Sequence, residues 1–245
     1  MTTSGTTSFN LDLNNLVEEA FERCGSELRT GYDLRTARRS LNLLTAEWAN
    51  RGVNLWTIEE GQITLNEGQI SYNLPIDTVD LLEHVIRTGT GQNQSDLTVT
   101  RISVSTYATI PNKLAQGRPI QIWVDRQSGA TYPVGGRPEG TDPATGVNHP
   151  QVYLWPAPEQ SNLYTLVYYR MRRIQDGGNG SSTQDIPFRF LNCIVSGLAY
   201  YLSMKIAPDR MPALKAQYDE QWNFAAEEDR DKSAVRFVPR RMFIE

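Results

Sequence analysis

The period of the hydrophobic pattern changes twice along this chain, near residue 55 and near residue 187, and nothing else in the sequence limits the fold as much. Before residue 55 the apolar residues recur at three and four residue steps. Leu13, Leu16, Val17, Ala20, Phe21 and Cys24 form one such stripe behind a possible cap at Asn10 or Asp12, and Gly25 ends or interrupts it. A second helix is predicted from near Asp33, with Leu34, Ala37, Leu41, Leu44 and Trp48 on one side and Arg35, Arg38, Arg39 and Glu47 on the other, stopped by Gly52. The pattern predicts that these two helices pack as an antiparallel hairpin.

From Leu55 the period is two. Ile63 and Leu65, then Ile70, Tyr72 and Leu74, flank Asn66-Glu67-Gly68 and read as a β-hairpin. Residues 79–87, 97–102, 119–125, 151–155 and 163–173 supply further strands, and Ser105 to Ile110 a short helical turn before Pro111. The clearest half-buried antiparallel strand sets Ile120, Ile122 and Val124 against Gln121, Trp123 and Asp125. Helical periodicity returns after Gly177-Gly178-Asn179-Gly180-Ser181-Ser182. Pro187 suits a first helical position, and Phe188, Leu191, Ile194, Val195, Leu198, Ala199 and Leu202 give the most apolar helix of the chain. Pro208 and Pro212 precede a last helix marked by Leu214, Tyr218, Trp222, Ala225 and Ala226.

Two apolar helical faces on either side of a strand-rich segment need one another for burial. The expected fold is therefore α+β. A discontinuous helical bundle (1–54 plus 187–233) carries an inserted antiparallel β-sandwich or barrel (55–176), a linker (177–186) and an extended tail (234–245). Residues 127–150 hold five glycines and four prolines without periodicity and read as a long loop ordered by a neighbour. No internal repeat is visible.

Composition narrows the function. With 24 basic against 28 acidic residues in 245, a net charge of −4, wholesale binding to duplex nucleic acid is disfavoured. Residues 1–8 lack a basic region followed by an apolar one, and no apolar run is long enough for a bilayer, so neither a signal peptide nor a membrane partner is expected. Cys24 and Cys193 lie within apolar helical patterns and read as small buried hydrophobes in a reducing compartment.

A catalytic constellation is not apparent. His84 falls in a strand and His149 in the Pro/Gly-rich loop, too few for a histidine metal site or triad. Ser196-Gly197 lacks the preceding glycine of a nucleophile elbow, and the 177–182 glycines match neither phosphate-binding pattern. Glu18-Glu19, Glu59-Glu60 and Glu227-Glu228 are adjacent residues that point apart, so they do not form acid/base pairs. No catalytic residue, cofactor or metal is assigned, and the chain is not expected to be an enzyme. Two weaker signals remain. Tyr164, Tyr168, Tyr169, Arg170, Arg172 and Arg173 suit base stacking, or a strand whose cations meet acidic neighbours. Trp123, Tyr153 and Trp155 suit a sugar platform, or a core.

The C-terminal segment is unusual for a tail. Val235, Phe237, Val238, Met242, Phe243 and Ile244 alternate with Arg236, Arg240 and Arg241 around Pro239. Burying these apolar side chains gains about 10 kcal/mol, and ordering ten residues costs at least about 10 kcal/mol. Such a segment docks only where a preformed groove, strand pairing or repeated copies add to it. A last strand on its own domain is the plain reading. Docking onto a partner through Arg236, Phe237, Val238, Pro239, Arg240, Arg241, Met242, Phe243 and Ile244 is the one favoured here.

Four runs carry a family resemblance. They are Leu-Arg-Thr-Gly-Tyr-Asp-Leu-Arg-Thr-Ala-Arg-Arg-Ser-Leu-Asn-Leu-Leu at 28–44, Glu47-Trp48-Ala49-Asn50-Arg51-Gly52-Val53-Asn54-Leu55-Trp56, Tyr72-Asn73-Leu74-Pro75 and Pro187-Phe188-Arg189-Phe190-Leu191. With the helix, strand, helix order and the adhesive tail, the chain resembles a head-to-tail adaptor of short-tailed bacteriophages, the tail tubular protein A type. The resemblance implies a virion structural protein at the head–tail junction, made in the host cytoplasm. It implies self-association as a ring of twelve subunits, contact with the portal protein and the tail nozzle of tail tubular protein B type, and a channel through which double-stranded DNA passes without specific binding. By position and character it assigns 236–244 to the portal interface. A carbohydrate-binding tail module, or a nucleic-acid binding protein centred on Arg170, Arg172 and Arg173, would be the alternatives.

Overall fold

The computed structural model describes residues 3–29, 31–52, 55–126 and 149–229. In chain order the elements are α1 (Leu13–Cys24), α2 (Gly31–Arg51), β1 (Ile58–Thr64), β2 (Ser71–Asn73), β3 (Thr78–Thr88), β4 (Ser95–Thr98), β5 (Thr100–Arg101), α3 (Val104–Thr109), β6 (Gln121–Asp125), β7 (Gln151–Trp155), β8 (Tyr164–Arg172), α4 (Leu191–Ile206) and α5 (Met211–Glu228). They fall into two compact units. One draws on the described residues of 1–53 and 175–245, the other on those of 54–174.

In the first unit α4 is the central element, packed against α1, α2 and α5. Its sequence explains this position: Leu191, Cys193, Ile194, Val195, Leu198, Ala199 and Leu202 are buried around most of its circumference. Gly197 lets α2 and α5 come close, since a Cβ there would stand 2.9 Å from both Leu44 Cδ2 and Tyr218 Cε2. The Trp48 ring lies 5.4 Å from Phe190 and 5.3 Å from Trp222, centroid to centroid. The ends of α1 are set locally. Asp12 accepts from the Asn15 amide at 2.8 Å, and Gly25, at φ 76°, turns its N–H back to the carbonyls of Phe21 and Glu22.

Three expectations for this unit change. Helices α1 and α2 touch only sparsely and are not a packed hairpin, because the apolar face of α1 is covered by α4. Pro187 caps a 3-10 turn, Phe188–Phe190, that precedes α4, and is not itself the first helical residue. That turn advances about 120° per residue, against about 100° in an α-helix, so the core stripe does not extend back to Phe188. Phe190 is fully buried and Phe188 is 81% exposed.

The Gly/Ser stretch is tied down along its length. The Gly177 amide donates to Asn42 Oδ1 at 2.8 Å and its carbonyl accepts from Arg38 Nε at 2.7 Å. The carbonyls of Gly180 and Ser182 accept from the amides of Asn14 and Leu13 at 3.1 and 3.0 Å, at the start of α1.

The described residues of the second unit form two open four-stranded sheets, in the orders β1-β8-β3-β4 and β2-β7-β6-β5. Every strand pair is antiparallel except β5 with β6. Neither sheet closes into a barrel. Residues of both, including Leu81, Ile86, Leu166 and Tyr168 from one and Tyr72, Ile122, Val152 and Leu154 from the other, form one apolar core.

The predicted hairpin around Asn66-Glu67-Gly68 does not form. β1 pairs with β8 and β2 with β7, so the chain changes sheets between them. Tyr72 fixes the crossing: its phenol accepts from the Asn66 amide at 2.8 Å and donates to the Asn66 carbonyl at 3.2 Å. The strand expected over 97–102 is likewise divided between the sheets at buried Val99.

Candidate interaction surfaces

The basic and aromatic strand residues are largely engaged within their own unit. On β8, Arg170 donates to Asp77 Oδ1 at 2.6 Å, Thr78 Oγ1 at 3.0 Å and Glu59 Oε2 at 2.8 Å. Arg172 Nε donates to Glu59 Oε1 at 2.6 Å. Both guanidinium groups are nearly buried, at 11% and 12% side-chain exposure, which leaves little of either for a phosphate backbone. Tyr164 and Tyr168 are core residues, while the Tyr169 phenol donates to Glu60 at 3.1 Å. The Gln62 amide and that phenol hold the Glu60 carboxyl below its ordinary range.

A ring stack occupies the other sheet. Tyr107 of α3 lies on Trp123 at 5.3 Å and 26°, and Trp123 on Tyr153 at 4.7 Å and 28°. Lys113 Nζ stands 5.6 Å from the centre of the Tyr107 ring, and Trp155 Nε1 donates to the Asn112 carbonyl at 3.0 Å. These rings spend their faces on one another, unlike a sugar platform. Tyr107 was not singled out by sequence, because a single aromatic in a six-residue helix has no periodicity to mark it.

The residues considered for catalysis are dispersed. His84 is on β3, where burial and the nearby Arg101 guanidinium lower its pKa. His149 Nδ1 lies 3.1 Å from the Leu74 carbonyl. Ser196 Oγ donates to the Asn192 carbonyl at 2.9 Å and accepts from Arg23 at 2.7 Å, a helix-packing arrangement. Cys24 and Cys193 are free and buried, and burial pushes the Cys193 thiol up to about 12. Among the described residues no group of three or more His, Cys, Asp or Glu could hold a metal ion.

A groove of about 980 Å3 lies between the N-terminal arm, α1 and the start of α4. Phe9, Leu11, Phe188, Leu191 and Val195 form its apolar part, and Glu18, Glu19, Glu22 and Arg23 its charged part. Arg23 is already spent on Glu19 (2.9 Å), Ser196 (2.7 Å) and Asn192 (3.2 Å). Glu18 and Glu22, one turn apart and exposed, make no ion pair among the described residues, so the groove carries net negative charge. Phe9 and Phe188, 76% and 81% exposed, stand at the groove with most of their rings uncovered. Next to Phe188, Arg189 pairs with Asp229, which lies just beyond α5 with a carboxylate only 1% exposed. The residues expected to bind a partner, Arg236 to Ile244, lie outside the described residues, as does most of the 127–150 loop.

These surfaces define an α+β protein whose prominent side chains pack, pair and present contact faces. The profile of the SU10 adaptor protein family matches residues 12–242, a span that takes in both units, and the chain belongs to that family. It is by class a bacteriophage adaptor, a structural protein. Comparison with curated proteins gives no match. No described helix is long and apolar enough to cross a membrane.

Proposed function

We propose that the chain is a virion head-to-tail adaptor that assembles as a ring of twelve copies, joins the portal to the tail nozzle and forms part of the channel through which double-stranded DNA passes. The observation that carries this reading is the family match over 12–242, which runs through both units and into the basic, apolar C-terminal segment. In this reading Arg236 to Ile244 bind the portal. A contact too weak to hold one chain suffices when it is repeated around a ring, and head-to-tail contacts between neighbours close such a ring. The net charge of −4 suits a channel wall along which DNA slides. The engagement of Arg170 and Arg172 by Glu59 and Asp77 fits the same picture.

The test is the mass of the purified chain alone and mixed with its portal, by light scattering followed by negative-stain imaging. A ring, or a monomer that joins the portal in multiple copies, supports the adaptor; a monomer indifferent to the portal rejects it. Truncation after Ser233 should abolish portal binding if the tail is the interface.

A further inference from the structure

We infer that, before it reaches the portal, the C-terminal segment Val235–Ile244 occupies the groove between α1 and the start of α4 of its own subunit. The inference rests on the reading of that segment as the portal-binding element and adds a resting place for it. Three observations converge on this occupant. The first is charge. Glu18 and Glu22 project one above the other along α1 without an ion pair among the described residues, and the segment supplies Arg236, Arg240 and Arg241. The second is apolar surface. Phe9 and Phe188 stand uncovered at the groove, and the segment interleaves Phe237, Val238, Met242, Phe243 and Ile244 with its arginines.

The third is reach. The chain leaves α5 at Asp229, whose carboxylate is held by Arg189, the residue next to groove-lining Phe188. The described chain thus ends at a residue paired with the neighbour of a groove-lining side chain. Seven residues from Asp229 to Arg236 span up to about 24 Å, several times the roughly 6 Å that one helical turn from Leu191 to Val195 covers. Asp229 Oδ2, at the end of the described chain, is buried without a hydrogen-bond partner among the described residues.

A groove lined in this way supplies the preformed surface that the segment needs to become ordered. It also keeps an adhesive tail from pairing with other copies before a portal is present. Binding to the portal then requires release from the groove, so loss of the groove contacts makes the tail more available.

The experiment is limited tryptic digestion of the full chain, following cleavage after Arg236, Arg240 and Arg241 by mass spectrometry. The wild type is compared with Glu18→Gln/Glu22→Gln and with Phe188→Ala. All three altered side chains are exposed, and unchanged thermal melting checks that the fold is intact. Each variant is expected to raise the cleavage rate about fivefold, the size of effect that loss of one or two exposed contacts has on an open population. Protection in the wild type is expected to be independent of protein concentration. Equal rates in wild type and variants would overturn the inference, as would protection that grows with concentration, which places the segment on another copy. Portal binding of the chain truncated after Ser233 separates this from the reading beneath it. If truncation abolishes binding while the variants cleave like wild type, only the resting place is wrong. If the variants cleave faster while truncation leaves portal binding unchanged, only the portal assignment is wrong.

Discussion

Trp48 Nε1 donates to the phenol oxygen of Tyr218 at 2.9 Å, joining α2 to α5 across the whole strand-rich part of the sequence. Both side chains are buried, and burial raises the Tyr218 pKa well above that of an ordinary phenol. Tyr218→Phe keeps the ring and removes the acceptor, leaving a buried indole N–H unpaired. The helical unit should lose about 1–3 kcal/mol. Urea unfolding followed by far-ultraviolet circular dichroism measures this, and an unchanged midpoint would show that the bond adds nothing.

Gly197 tests the tightest approach in the same core. Alanine would place a methyl 2.9 Å from Leu44 Cδ2 and from Tyr218 Cε2. Helix propensity alone favours alanine by about 1 kcal/mol. Overpacking opposes it at about 1–3 kcal/mol, and with contacts on both sides the neighbours have little room to yield. Gly197→Ala is therefore expected to lower the melting temperature, and a rise would mean that α2 and α5 can shift apart.

What could be read from the sequence follows from how local each signal is. The α4 helix was legible because its apolar residues surround it, and the α1 cap because Asp12 and Gly25 act on their own backbone. The hairpin at 63–74 was not. Asn66-Glu67-Gly68 turns the chain equally well within one sheet or from one sheet to another, and the choice depends on β8 and β7, more than seventy residues away. Phe188 failed for a related reason: its spacing fits the α stripe, but a 3-10 turn rotates it outward. The Gly177–Ser182 stretch reads as a tether by composition, whereas backbone groups hold it to α1 and α2. As for the groove, its walls come from residues 7–23 and 188–195, which no sequence window contains together.

Arg170 separates a nucleic-acid role from a structural one. Its guanidinium bridges Glu59 and Asp77, and only 11% of the side chain is exposed. Arg170→Ala should destabilise the β unit by about 1–3 kcal/mol, the usual cost of losing hydrogen bonds to charged groups. The same variant should leave the salt dependence of any DNA binding unchanged, because no phosphate contact is lost. A salt slope reduced by about one in a DNA titration would instead assign Arg170 to nucleic acid.

His84 gives the β unit a pH dependence of defined sign. Burial first, then the charge of Arg101, lowers its pKa in the folded chain. Above the unfolded value of about 6.5 the imidazole is neutral in both states and stability does not depend on it. Below that value the unfolded chain takes up a proton that the folded chain resists, so stability falls as pH drops toward the folded pKa. His84→Gln should flatten the loss of stability as pH falls below about 6.5 relative to wild type. Parallel pH profiles of the urea midpoint for the two proteins would contradict this.

The ion pair of Arg189 and Asp229 closes the end of α5, and its two halves are unequally exposed: the Asp229 carboxylate is 1% accessible and the Arg189 side chain 29%. Removing one partner therefore has different consequences from removing the other. Arg189→Ala strands a buried carboxylate and should cost about 3–5 kcal/mol. Asp229→Ala leaves a guanidinium that reaches water and should cost less. The double variant should be more stable than Arg189→Ala alone, since neither desolvated charge remains. Urea unfolding of the wild type, both single variants and the double variant completes the cycle. If the double variant is the least stable of the four, with the two losses simply adding, the residues act independently and the end of α5 is held by something else.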